Sequence, residues 1–347
     1  MAATQNNRII YSCQAVAIGP TGTDMSDAQP VHGVQSIGIT TNFNLEQVFE
    51  LGQIEIYENI EGVPDVEITM EKVLDGYPLI YHLATSGAHG GGGFGFVNRV
   101  KQRCDVALGI FAESFSNVGS AEASGDASTA VKCTGMYVSS LSYTFPTDGN
   151  FTESVTFVGN HKQWLTDGSV FNSGSAIDIQ SFDGYDEPTA LNTEPDGGVQ
   201  RREDLILASS LIPASVYGGS AAHIQSVSIS TDLSREDIFE LGQKTPYNRP
   251  ATFPVEVTCE IEAIATSGDF VEAIEGGTTL TAGTKYAGNN IPEESIKVVT
   301  RAGYSFDLGS KNRLQSVSYG GGDATGGNAS NTYSYVTYND LDITESY

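Results

Sequence analysis

The 347-residue chain carries 43 acidic against 17 basic residues, a formal charge of −26, and is 39% hydrophobic with 39 glycines. So few basic side chains cannot displace counterions from many phosphates, which excludes tight nucleic-acid binding and disfavours anionic membranes. The low apolar content and frequent glycine favour all-β structure with one wet face per strand over a large α/β enzyme, and no stretch reaches the roughly 18 apolar residues of a membrane span.

In chain order, the apolar stretch 9–18 reads as a largely buried strand. Next comes VQSIGITTNFNLEQVFELGQ (Val34 to Gln53), which returns without a gap 190 residues further on as IQSVSISTDLSREDIFELGQ (Ile224 to Gln243), with 10 of 20 positions identical. That period is far longer than the roughly 20 to 50 residues of a solenoid. Two tandem domains are therefore expected, at 1–160 and 203–347, each with its own core, and a second buried strand is expected at 205–212. In the second occurrence Val227, Ile229 and Thr231 alternate with Ser226, Ser228 and Ser230, the period of a strand with one core face. Ile37 and Ile39 repeat the pattern in the first.

A short helix is predicted after each of these strands. In the first, Asn44 would be the N-cap, Leu45, Val48, Phe49 and Leu51 the packed stripe, and Gly52 the left-handed stop. In the second, Ser234 would be the cap, Ile238, Phe239 and Leu241 the stripe, and Gly242 the stop. Beyond them Tyr57 answers Tyr247, Pro64 answers Pro254, and the two-faced strand VEITMEK (Val66 to Lys72) answers VEVTCEI (Val255 to Ile261). Each half closes on a predicted β-hairpin, SLSYTF (Ser140 to Phe145) with SVTF (Ser154 to Phe157), and SVSY (Ser316 to Tyr319) with YVTY (Tyr335 to Tyr338). Residues 161–202, rich in Gly, Ser, Asp and Pro with Trp164, Phe171, Phe182 and Tyr185, read as a linker or docking arm. Loops are predicted at 114–131 and 276–290.

No constellation carries catalysis. The glycine run at Gly87 to Phe96 lacks the Lys-Ser/Thr and the βαβ frame of a phosphate cradle, and His82, His89 and His161 lack metal spacing. The acidic segment Asp178 to Glu187 does not follow a calcium loop, and no GxSxG elbow occurs. Cys13, Cys104, Cys133 and Cys259 include no CxxC pair and are expected as buried free thiols. The expectation is a non-enzymatic protein without catalytic residues, metal or cofactor.

The stretch FELGQKTPYNRPATFPVEVTCEIEAIATSGD (Phe239 to Asp269), following IQSVSIS, resembles the tail tube proteins of long-tailed bacteriophages and related injection machines. The resemblance covers both repeats, about two thirds of the chain, and the long middle segment departs from a minimal tube subunit. It implies a mainly β fold of two tandem β-sandwich or barrel domains, each with a short flanking α-helix. It also implies chains joined into rings, trimers imitating hexamers, stacked into a tube through which DNA is ejected. Implied partners are further copies of the chain, tail sheath, baseplate hub and tape-measure proteins, with DNA passing unbound and no membrane. Implied location is the virion tail, after synthesis in the host bacterial cytoplasm. Within that reading Ser140, Ser142, Thr144, Ser226, Ser228 and Ser230 are candidates to line the pore. A tail hub or neck adaptor ring, or a carbohydrate-binding surface module, are the alternatives.

Overall fold

The structure, a computed structural model, describes residues 9, 11–22, 28–86, 95–111, 127, 129–165, 198–206, 211–217, 222–266, 271–272, 286–287, 292–322 and 327–345. The first half comprises β1 (Gln14–Pro20), β2 (Gln29–Pro30), β3 (Val34–Asn42), β4 (Leu45–Phe49), β5 (Ile56–Glu61), β6 (Asp65–Val73), α1 (Ile80–Ser86), α2 (Phe96–Arg99), β7 (Cys104–Ile110), β8 (Thr129–Pro146), β9 (Thr152–Gly159) and β10 (His161–Leu165). The second comprises β11 (Leu205–Ile206), α3 (Ala214–Tyr217), β12 (His223–Asp232), β13 (Glu256–Ile264), β14 (Val271–Glu272), β15 (Tyr286–Ala287), β16 (Lys297–Thr300), β17 (Tyr304–Asp307), β18 (Arg313–Gly320), β19 (Ser330–Tyr338) and β20 (Asp342–Glu345). The fold is mainly β, in sandwich-like layers, as the alternation predicts.

Four strands of the first half pair antiparallel in the order β3-β6-β9-β8, and four of the second in the order β12-β13-β19-β18. β8 and β12 pair with each other, so the two sets form one continuous antiparallel sheet. A second layer covers it. Its first part runs β2-β1-β7-β8-β10 and its second β11-β16-β17-β20.

β8 serves both layers: its opening residues pair with β7 and β10, its closing residues with β9 and β12. The change falls at Gly135, whose positive φ of 68° no branched residue would tolerate and whose N–H donates to Asp105 Oδ1 at 2.9 Å. In the second half the chain breaks there instead, at 308–312, leaving β17 in one layer and β18 in the other.

Strand order and register agree between the halves. The register shift between Val34 and Ser36 recurs between Ile224 and Ser226, and that between Val138 and Ser140 recurs between Leu314 and Ser316. The β-ladders refine two of the sequence matches. Val66 lies opposite Thr41 and Val257 opposite Thr231, so the counterpart of Val66 is Val257, not Val255. A two-residue slip preserves the face and is invisible to alternation. Val155 lies opposite Leu141 and Tyr333 opposite Val317, so the counterpart of SVTF begins at Thr332, not Tyr335.

The two predicted helices are strands or extended chain. β4 and β5 form a two-stranded hairpin, and 235–251 forms a looser one through bridges Arg235 to Ala251 and Ile238 to Asn248. Asn44 and Ser234 adopt positive φ (49° and 42°) instead of the extended geometry of an N-cap, and their N–H groups are held by Asn42 Oδ1 (3.1 Å) and Asp232 Oδ1 (2.8 Å). Gly52 (φ 93°) and Gly242 (φ 89°) sit third in β-turns closed by Gln53 N–H to Glu50 O (3.2 Å) and Gln243 N–H to Glu240 O (3.4 Å). A left-handed glycine ends a helix and turns a hairpin equally well, which is why FELGQ misleads. Val48, Phe49, Leu51, Ile238, Phe239 and Leu241 therefore pack no helix against a sheet.

The true buried helix is α1. Leu79, Ile80, Tyr81, Leu83 and Ala84 are all buried, a helical spacing present in the sequence but masked by the stronger repeat. It lies within the larger of two buried clusters, which draws on both halves and in which Phe306 of β17 meets Tyr143 (ring centroids 4.5 Å) and Phe145 (5.3 Å) of β8. The expectation of a separate core per half is thereby replaced by a shared one. Of the predicted linker, His161–Leu165 is β10, paired to β8; most of the remainder, with Phe171, Phe182, Tyr185 and the acidic segment 178–187, lies outside the described residues. So do most of both predicted loops. Cys13, Cys104, Cys133 and Cys259 are free and buried, and burial pushes the Cys133 thiol up to about 11 and Cys259 to about 12.

Candidate assembly surfaces

Strand alternation determines which side chains of the continuous sheet face away from the core. On β8 and β12 these are Ser140, Ser142, Thr144 and Ser226, Ser228, Ser230, with Ser230 opposite Ser142, Ser228 opposite Thr144 and Ser226 opposite Pro146. All six lie together across the seam between the halves. A groove of about 560 Å³ opens there, lined by Ser140, Ser142, Ser154, Ser230, Asp232 and Glu256. Farther out on the same face stand Glu67 and Glu71 of β6 and Glu260 and Glu262 of β13. The basic side chains in the eight strands are Lys72, buried beside Asp75 at 2.5 Å; Lys132, in the outer-layer part of β8; and Arg313, at the start of β18. The face thus presents hydroxyls and carboxylates, and a negative potential.

Among the described residues the sheet ends on two unpaired edges, β3 and β18. Their counterparts in the other half, β12 and β8, are paired with each other at the seam. Burial reflects the difference. Tyr143 of β8 is 0% exposed opposite Ile229, while its counterpart on the free edge, Tyr319, is 58% exposed. Ile229 is buried, whereas Ile39, its counterpart on β3, is half-buried.

The hairpins form a third surface. Leu45, Phe49, Leu51, Ile54, Ile56 and Tyr57 of the first are exposed, as are Ile238, Phe239, Leu241 and Tyr247 of the second, and Leu51 and Leu241 at the tips are fully so. A two-stranded hairpin is marginal in water without a surface to lie on, and apolar side chains in such a cluster mark a contact surface.

The second hairpin is tied across the seam. Arg235 donates to Val138 O (2.8 and 2.6 Å) and Val100 O (2.6 Å) and lies over the Tyr137 ring at 4.9 Å. Burial pulls its pKa down to about 10, which leaves it charged at neutral pH. Tyr137 Oη donates to Asn248 Oδ1 at 3.1 Å, and Arg249 binds Asp237 and reaches Asp65 of the first half at 3.0 Å.

The singled-out histidines are separate and structural. His82 bonds Ile343 O (2.9 Å) and Glu345 (2.7 Å), and His161 Nδ1 meets Thr134 Oγ1 (3.0 Å). His89 and most of the glycine run lie outside the described residues. Among the described residues no group of three or more His, Cys, Asp or Glu is arranged to hold a metal, and no helix is long and apolar enough to cross a membrane.

The sequence matches no protein-family model, and no curated protein matches it. Part of the chain is similar to solved components of contractile injection systems. One is the tube-terminating cap of the anti-feeding prophage, at 14% identity over 48% of this chain and 99% of that one, with a TM-score of 0.32. Another is a chain of the sheath-tube complex of the extracellular contractile injection system PVC in its extended state, at 8% identity over 47% and 94%, TM-score 0.31. A third belongs to the PVC sheath/tube terminator, at 11% identity over 46% and 99%, TM-score 0.32.

Proposed function

We propose that this chain is a non-enzymatic structural subunit of a phage-type tail tube, built of two duplicated β domains at 1–160 and 203–347, whose copies close side by side into rings that stack. The carrying observation is the β8–β12 seam. One chain already joins two like four-stranded units edge to edge, and the edges left over, β3 and β18, are the counterparts of the two edges joined inside. Repeating the seam between chains continues the sheet, satisfies both free edges and, as a head-to-tail contact, closes a ring when the rotation allows. Three chains would set six units around that ring.

The hydroxyl and carboxylate face, including Ser140, Ser142, Thr144, Ser226, Ser228 and Ser230, would line the lumen. DNA would pass along a wall dominated by hydroxyls and carboxylates, with few cations to hold its phosphates. The apolar hairpins favour contact with the next ring, giving a tube in the virion tail with sheath, baseplate hub and tape-measure proteins as neighbours.

Negative-stain microscopy of the purified protein tests the reading. Annular particles and stacked tubes are expected. Solitary, non-annular particles would overturn it, and rings that never stack would mark a hub or neck adaptor instead.

A further inference from the structure

Resting on the ring reading above, the internal seam specifies side chain by side chain what should meet between chains, and one pair changes its chemistry. At the seam Tyr137 Oη donates to Asn248 Oδ1. The counterpart of Tyr137 is Arg313, because Tyr137 lies opposite Val158 and Arg313 opposite Val336, each two residues of strand before the same register shift. The counterpart of Asn248 is Glu58, because Ile238 bridges Asn248 and Val48 pairs with Glu58 at the same step of the two hairpins. A neutral hydrogen bond inside the chain thus corresponds to a cation and an anion at its two ends.

We infer that Glu58 of one copy forms an ion pair with Arg313 of the next, and that this pair selects head-to-tail joining of β3 to β18. Both side chains are exposed, and among the described residues the Arg313 guanidinium makes a surface contact to Glu293 at 3.5 Å, of the kind worth little in solvent. The neighbouring substitutions agree. Arg235, which lies over Tyr137 and bonds Val138 O at the seam, has Leu45 as its counterpart. Leu45 is exposed, so the intermolecular contact lacks that buried guanidinium and can come apart as separate chains, while the aliphatic stem of Arg313 offers Leu45 an apolar surface. Two-fold pairing of β3 with β3 or β18 with β18 would deny Glu58 its cation, which disfavours closed dimers.

The test compares full-length Arg313→Glu, Glu58→Arg, and the double exchange, with ring content measured by sedimentation and micrographs. Each single reversal should weaken chain association about tenfold or more, as for close interfacial charge pairs, and the double exchange should restore it to within about threefold. Unchanged thermal unfolding of the dissociated chains separates assembly from folding, and Glu293→Gln should leave assembly as it was. If the unaltered protein forms rings but the single reversals assemble equally well, or the double exchange is no better than either, the ion pair is wrong and the ring stands. If the unaltered protein forms no rings, both fall.

Discussion

Glu153 is buried in β9 and accepts from Ile80 N–H (2.7 Å), Tyr81 N–H (3.1 Å) and Tyr143 Oη (3.0 Å), placing a carboxyl at the start of α1. Burial pushes its pKa up to about 7, against the pull of these bonds. The folded chain therefore holds a proton that the unfolded chain releases above about 4.5. Stability should fall as pH rises from about 4.5 to 7, by at most about 3.5 kcal/mol at roughly 1.4 kcal/mol per unit. Urea titrations at pH 5 and pH 8 measure the fall, and Glu153→Gln should remove most of that pH dependence even though it costs stability at both. An equal slope in the variant would assign the dependence elsewhere. The sequence gives no sign of this role, because alternation puts Glu153 on the core side with Val155 and Phe157, while its backbone partners on α1 arise 73 and 72 residues earlier.

At the scale of elements, the hairpins are where pattern and structure part. The spacing of Leu45, Val48 and Phe49 fits one helical stripe, but Val48 pairs across to Glu58 and Phe49 to Ile56. Apolar residues on a short segment identify a need for burial, not the geometry that meets it. That need is left open within the chain. Leu51→Ser and Leu241→Ser should each leave chain stability within about 0.5 kcal/mol, since both side chains are fully exposed, yet shorten stacked tubes or abolish them. Thermal unfolding and tube lengths in micrographs report the two effects separately. Tubes of normal length from the double variant would remove the hairpins from stacking. The strands themselves were legible. Val227, Ile229 and Thr231 are buried and Ser226, Ser228 and Ser230 face outward as their alternation requires.

For the whole molecule, repetition of VQSIGITTNFNLEQVFELGQ was readable, but the seam it produces was not. Pairing of Ser230 with Ser142 joins residues far apart in sequence, and nothing in local periodicity encodes which edges meet. Nor does composition reveal that Phe306 packs on Tyr143, which carries the larger core cluster across both halves. In the proposed ring, the seam would set the register of the next chain. Ser230 opposite Ser142 translates to Thr40 of one copy opposite Ser318 of another. Directly opposed strand residues lie within disulfide reach, whereas within one chain these positions occupy opposite edges of the sheet, seven spacings of about 4.8 Å apart. The native thiols are buried. Oxidation of the assembled Thr40→Cys, Ser318→Cys protein, read on a non-reducing gel, is the most direct measurement: covalent multimers ending at the ring size, absent from either single variant, are predicted, and assembled rings in which the double variant stays monomeric would contradict the account.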